Sequence, residues 1–492
     1  MQKLLKQLKV DYLLVNSTNE FLVEYSDLSE NARYTLTGFT GSTGDALITK
    51  DKIYLFVDGR YHTQADLETK SGIEVVKLQI GQSQDEEIKK RIKPWNVLGI
   101  VAKKVSQARL ENFKFYRKKL LKEDPINNYT ITHSKDFSRS FKPDIKAIDK
   151  PTFITNLEEV SYLTGYRDFS LDYSSKIWAK MIVNNDDFIL FTDNKSCEEY
   201  LKNFKGKLFV DKQTINAYDF SLIKNPIHRP SKIKEIKSIK SNTELELYKQ
   251  AFENTDNALK AVRDYIEAEN NISEADIEKK LREEFSKFGA KNLSFKPIIA
   301  INKNSALAHY SKNSAEIKLG QGDLVLIDCG AYFESGLATD ITRVFVKGEP
   351  NDLQKKVYTT VLKAFLNCYN SNLKKGKEID SLAHQLLDST IDGFKFSHGL
   401  GHGIGINVHE APPALNQSEI ADSEIIDGMC FTIEPGLYNP DYFGVRLENS
   451  CYKKDGKTHS FAKMGYEGKL IDYSLLTEQE KEWLKEFEIL WK

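Results

Sequence analysis

Over residues 1 to about 140 the chain alternates short apolar runs with stretches whose apolar residues recur at helical spacing. Tyr12-Leu-Leu-Val, Gly44-Asp-Ala-Leu-Ile-Thr and Ile53-Tyr-Leu-Phe-Val read as strands, and a charged helical run follows Arg60. Ser138-Arg-Ser-Phe-Lys-Pro-Asp has a linker's composition. After it Thr152-Phe-Ile-Thr, Lys180-Met-Ile-Val, Phe188-Ile-Leu-Phe and Lys207-Leu-Phe-Val repeat the alternation to about residue 225. A further break falls at Asn225-Pro-Ile-His-Arg-Pro, and Ser241-Asn-Thr-Glu244 then has the spacing of a capping box ahead of a long amphipathic helix. From Leu293 strands return, with helical runs at 351–374 and 378–390. The pattern predicts an α/β chain of three parts: residues 1–140, 141–232 and 233–492.

Residue types within the last part change the picture from fold to chemistry. In Asp323-Leu-Val-Leu-Ile-Asp328 an apolar strand runs into a carboxylate, and Asp340 follows a glycine-containing turn, so a hairpin would bring the two together. Taken alone, such Asp-x-Gly pairs usually only make turns. Downstream, His398, His402 and His409 share one glycine-studded run, three of the chain's nine histidines, and glycines there let backbone and substrate approach closely. Glu434 ends an apolar run before Pro-Gly, and Glu448 sits in an alternating strand two residues after Arg446, on the face that Arg446 shares; Arg446 reads as either a partner for a carboxylate or a structural ion pair. Asp328, Asp340, His402, Glu434 and Glu448 form a hard-oxygen set with one nitrogen, suited to two divalent ions such as Mn(II), Fe(II), Co(II) or Zn(II).

Charge narrows the partners. Lys+Arg number 70 against 71 Asp+Glu, a net charge of −1, so no large field draws the chain to nucleic acid or an anionic membrane. Five scattered cysteines without a Cys-x-x-Cys pair suggest neither a disulfide framework nor a thiolate zinc site, and a reducing compartment fits. The first residues interleave lysine with leucine as an amphipathic helix does, unlike a secretory signal, and no run of about 18 apolar residues occurs. The expectation is a cytoplasmic protein with a small-molecule or peptide partner.

The order and spacing of the five donors resemble the metal ligands of the pita-bread metallopeptidases, a superfamily that includes methionine aminopeptidase, prolidase and aminopeptidase P. Tyr34-Thr-Leu-Thr-Gly-Phe-Thr-Gly-Ser, Phe56-Val-Asp-Gly-Arg-Tyr and the tail Leu470-Ile-Asp-Tyr-Ser-Leu-Leu-Thr-Glu-Gln-Glu-Lys-Glu-Trp-Leu resemble the long, three-domain aminopeptidase P type. The stretch between Asp328 and Asp340 is one residue longer than the family pattern, which lengthens the hairpin turn and leaves both strand ends intact.

That resemblance implies two creatinase-N-like α/β domains followed by an α+β pita-bread catalytic domain with a C-terminal tail. It implies a metalloaminopeptidase that removes the first residue of peptides with proline second, with Mn(II) the first choice of metal, and a homodimer. Asp328 would chelate one ion, Asp340 and Glu448 would bridge both, and His402 and Glu434 would complete the other. Glu434 would also be the general base for a hydroxide generated from shared water. His309 and His409 would serve the leaving amine and the oxyanion, and His309, His398 and His409 would meet the substrate. Prolidase shares all five ligands and is the nearest alternative. A creatinase-like hydrolase or a silent pita-bread binding module would have lost ligands that this chain retains.

Overall fold

The computed structural model describes the chain except residues 25–26, 80, 128–136, 142–147, 186 and 491–492. It divides into two compact units, the first drawn from residues 1–232 and the second from Ile233–Lys492 with the segments Ser138–Pro143 and Arg167–Lys176. The opening helix, Gln2–Leu8, is short and buries Leu5, as its lysine-leucine alternation predicts.

The first unit holds two sheets. One runs in the order Ile73–Lys77, Ile53–Val57, Asp45–Ile48, Tyr12–Val15, Leu98–Val101 and Lys118–Leu121, with the central Tyr12–Val15 strand antiparallel to one neighbour and parallel to the other. Leu14, Leu47, Phe56 and Ile100 bury one of its faces; Leu13, Ala46 and Ile48 bury the opposite one. Strands apolar on both faces are what a sheet covered on both sides requires. The other sheet orders Asp187–Phe191, Lys180–Asn185, Ile148–Ile154, Leu208–Val210 and Pro226–His228. Of the expected linker, Ser138–Arg139 forms a short strand and residues 142–144 lie outside the described residues.

The second unit begins with the expected capping box. Ser241 Oγ accepts from the Glu244 amide at 3.3 Å while Glu244 Oε2 accepts from the Ser241 amide at 2.8 Å, and the helix Asn242–Ala268 follows. Its buried residues Leu245, Tyr248, Phe252, Thr255, Leu259, Val262 and Ile266 recur at three- and four-residue intervals, the helical period read in the sequence. The helix Glu274–Lys287 comes next.

An antiparallel sheet then forms the unit's floor, ordered Ile298–Ile301, Leu324–Cys329, Ile341–Val346, Glu448–Lys454 and Cys430–Ile433. Leu324 and Leu326 on one strand and Val344 and Val346 on the next share a buried cluster with Val357, Val361 and Phe365 of the helix Asp352–Tyr369. Because strand side chains alternate, Asp328 continues the face of Leu324 and Leu326, and Thr342 continues that of Val344 and Val346. The site therefore starts where this apolar face ends.

Candidate metal centre

Register sets the first row of the site. Asp328 pairs with Thr342 across one strand junction and Thr342 with Glu448 across the next, so three polar side chains stand abreast on neighbouring strands. The predicted hairpin forms, closing through the Phe333–Gly336 turn and a bridge between Tyr332 and Ala338. Asp340 immediately precedes the strand Ile341–Val346. Glu434 directly follows Cys430–Ile433, where the Ile433–Asn449 pairing brings it beside the Glu448 strand.

The glycine-rich run supplies the nitrogen. Gly401–His402 pairs with Ala414–Leu415, and the His402 amide donates to Thr432 Oγ1 at 3.1 Å. Gly401 admits no side chain, since a Cβ there would lie 2.1 Å from the Thr432 carbonyl oxygen. His402 Nδ1 lies 3.0 Å from the Gly403 carbonyl, which can only accept, so Nδ1 carries a proton and Nε2 is the ring nitrogen turned toward the acids. Nε2 lies 3.5 Å from Asp340 Oδ2 and 3.4 Å from Glu434 Oε1. Ligand atoms of Asp340, His402 and Glu448 all lie within 4.8 Å of one another.

Electrostatically the cluster calls for cations. Asp340 and Glu448 are buried to 4% and 2% exposure, and desolvation followed by repulsion from neighbouring carboxylates holds both well above the ordinary carboxylate range. Burial pushes Glu434 up to about 8, Arg446 opposing and Asp328 adding to the shift. Asp328 is raised by burial against the pull of Arg446, and its buried Oδ1 has no hydrogen-bond partner. Four crowded carboxylates, an orphaned carboxylate oxygen and an imidazole nitrogen beside two of the acids form a donor set that fits divalent metal.

Arg446 organises the neighbourhood, though not from the place its sequence position suggests. It belongs to the strand Gly444–Arg446, paired with Gly436–Tyr438; the chain breaks at Leu447, whose amide donates to Pro435 O, before Glu448–Lys454 joins the large sheet. The expectation of one shared strand face is thus corrected. Its guanidinium donates to Asp328 Oδ2 at 2.6 Å, Tyr438 OH at 2.8 Å, Thr342 Oγ1 at 3.1 Å and Ala308 O at 3.3 Å. Thr342 in turn donates to Glu448 Oε2 at 2.7 Å. The sequence reading passed over Thr342 and Tyr438; their signal is alternation, Tyr438 standing two residues past Gly436 and Thr342 two past Asp340.

The remaining histidines take distinct places. The His409 ring packs edge-on against His402 with centroids 4.2 Å apart. His398 Nδ1 donates to Gly399 O at 2.8 Å and its Nε2 accepts from Tyr438 OH at 2.7 Å, so both ring nitrogens are engaged. Burial, then the Arg446 charge, lowers its pKa to about 3, so the ring stays neutral. His309 is half-buried, one residue past the Ala308 carbonyl that Arg446 holds.

Residues 246–454 match the model of metallopeptidase family M24, and residues 1–127 match that of the creatinase/prolidase N-terminal domain. The chain is 27% identical over 576 residues to a probable Xaa-Pro aminopeptidase P of Laccaria bicolor, covering 99% of this chain and 88% of that protein. The corresponding protein of Coprinopsis cinerea is 27% identical over 584 residues, with 99% and 93% covered. The solved X-prolyl aminopeptidase of Caenorhabditis elegans, described as a cytosolic enzyme with a di-nuclear active site, superposes with a TM-score of 0.85 at 20% identity, covering 97% of this chain and 90% of that one.

Fold and site together define a metallo-hydrolase, with residues 246–454 matching metallopeptidase family M24 and residues 1–127 matching a creatinase-type N-terminal domain. Within that class it is of the aminopeptidase P type. No helix among the described residues is long and apolar enough to cross a membrane.

Proposed function

We propose that this enzyme hydrolyses the bond between the first residue of a peptide and a proline in second position, with two divalent ions held by Asp328, Asp340, His402, Glu434 and Glu448. The observation that carries the reading is His402 Nε2 within 3.5 Å of two carboxylates beside the Asp328–Thr342–Glu448 row. Proline specificity is supported by whole-length similarity to proteins named for it.

Bound ions supply Lewis acidity and an acidified water, so no protein nucleophile is needed. The chain's own groups do the rest. Glu434 accepts the proton of the attacking water. His309 and His409 stabilise the oxyanion and protonate the departing secondary amine, a poor leaving group until protonated. His398, with both nitrogens engaged, offers the substrate its ring carbons. A proline amide has no N–H, so the apolar wall receiving it need supply no acceptor.

We read residues 1–140 and 141–232 as two creatinase-like domains, one sheet each, serving a 233–492 catalytic domain. Mn(II) is the proposed metal, the cytoplasm the proposed compartment, and a homodimer the proposed assembly. Chelation should abolish turnover and added Mn(II) restore it with two ions bound per chain; full activity with a single ion would contradict the dinuclear reading. Light scattering that finds only a 56.3 kDa species would contradict the dimer.

A further inference from the structure

Glu274 is the first residue of the helix Glu274–Lys287 and is fully buried, yet it has no place among the metal ligands or proton donors. Its Oε1 accepts from the Ile301 amide and from Asn304 Nδ2, both at 2.8 Å. Its Oε2 accepts from the Ser314 amide at 2.9 Å and lies 2.8 Å from Tyr310 OH. The Tyr310 hydroxyl accepts from Asn304 Nδ2 at 2.9 Å and lies 2.6 Å from Lys312 O.

All four partners are uncharged, and all fall within residues 301–314, the segment that carries His309. A buried carboxylate is retained at such a place only when its hydrogen bonds are well made, and here they converge from both ends of one loop. Standing at the start of a 14-residue helix also favours its negative charge.

The opposite side of the loop is held to the strand Gly444–Arg446. Ser305 Oγ accepts from the Gly444 amide at 2.8 Å, and a Cβ on Gly444 would lie 2.1 Å from Ser305 O, so the two backbones are in close contact. Arg446 holds Ala308 O. The segment 305–309 is therefore suspended between two anchorages, one on the Gly444–Arg446 strand and one on Glu274.

We propose that Glu274 is a positioning residue for the reaction: it fixes the 301–314 loop so that His309 meets the substrate in productive geometry. The inference rests on the role given to His309 above. Glu274→Gln keeps the shape but puts an amide hydrogen against either the Ser314 amide or the Ile301 and Asn304 donors, so the loop relaxes while the metal donors, on other strands, are untouched.

The test is a double-mutant cycle in the metal-loaded enzyme. Glu274→Gln should lower kcat/KM on an Xaa-Pro tetrapeptide by about 10- to 100-fold, the scale of a small misplacement, with wild-type metal content. In a His309→Ala background the same change should cost nothing further, whereas an equal additional loss would show a merely structural role and overturn the proposal. Tyr310→Phe removes one anchor more gently; it should act in the same direction and serves if Glu274→Gln does not fold.

A second arm separates this inference from the proposed activity. In Zn(II)-loaded, 15N-histidine-labelled protein, Glu274→Gln should shift the His309 imidazole signals, assigned by their loss in His309→Ala, and leave those of His402 and His409 in place. Unmoved His309 signals would overturn the positioning role, whether or not the wild-type protein cleaves the peptide. A wild-type protein that cleaves no Xaa-Pro peptide would overturn the activity alone.

Discussion

The Arg446 guanidinium donates to Asp328 Oδ2 at 2.6 Å from a residue 3% exposed, and the other oxygen of the same carboxylate has no hydrogen-bond partner. One oxygen is thus fixed by a permanent cation and the other is left to a ligand. Removing the arginine from the metal-free protein leaves a buried acid without its counter-charge, a change that costs about 3–5 kcal/mol. Arg446→Ala should therefore be strongly destabilised after chelation and partly rescued by Mn(II), which denaturant unfolding with and without metal will measure. Equal losses in both states would mean that Asp328 does not meet the metal.

Glu434 holds an oxygen 3.4 Å from His402 Nε2 and its own backbone amide donates to Leu400 O, so its removal spares the strand while emptying the site. Glu434→Ala should lose at least about 100-fold in kcat and keep the wild-type far-ultraviolet dichroism. Wild-type turnover in this variant would refute its role as ligand and base.

Two sets of buried carboxylates titrate in opposite senses. Glu410 accepts from Lys237 and Lys240 at 3.0 Å each and from the Ile406 amide; despite desolvation, the two ammonium charges bring its pKa down to about 2. Its contribution, about 3 kcal/mol for a shift of this size, is present above the unfolded value near 4.5 and is lost as pH falls toward 2. Glu434 is shifted up to about 8, so its contribution to the metal-free protein is present below about 4.5 and is lost as pH rises through 8. Chelated protein should accordingly lose stability on both sides of a maximum near pH 4–5, and metal should abolish the alkaline loss alone. An alkaline limb unchanged by Mn(II) would contradict the assignment of these carboxylates.

Gly401 is the residue that lets His402 lie flat against the Thr432 strand. Gly401→Ala must move one backbone off the other, since its Cβ would fall 2.1 Å from Thr432 O. Displacing a ligand's support typically weakens metal affinity by about 10- to 100-fold, and a metal titration of this variant should show a loss on that scale. Unaltered affinity would remove His402 from the ligand set.

Local features were legible in the sequence because local physics sets them. The Ser241–Glu244 cap, the helix behind it and the Asp328–Asp340 hairpin each depend on neighbours in the chain, and each is present. What stayed hidden depends on strand register between distant segments. Thr342 meets Glu448 across 106 residues and Arg446 meets Asp328 across 118, separations over which hydrophobic alternation carries no information about partners. The break at Leu447 was missed for the same reason: Val445, Leu447 and Glu448 read as one alternating strand until tertiary pairing divides them. Glu274 escaped notice because its importance lies in the loop it gathers, and a glutamate at the start of a helix is common on other grounds.

The most direct test is mass-spectrometric cleavage of Xaa-Pro-Yaa-Zaa, Xaa-Ala-Yaa-Zaa and the dipeptide Xaa-Pro by chelated protein with and without added Mn(II). Release of Xaa from the longer proline peptide alone, and only with metal, is the predicted result. Cleavage of the dipeptide alone would make the enzyme a prolidase, and inertness toward all three would contradict the proposed activity.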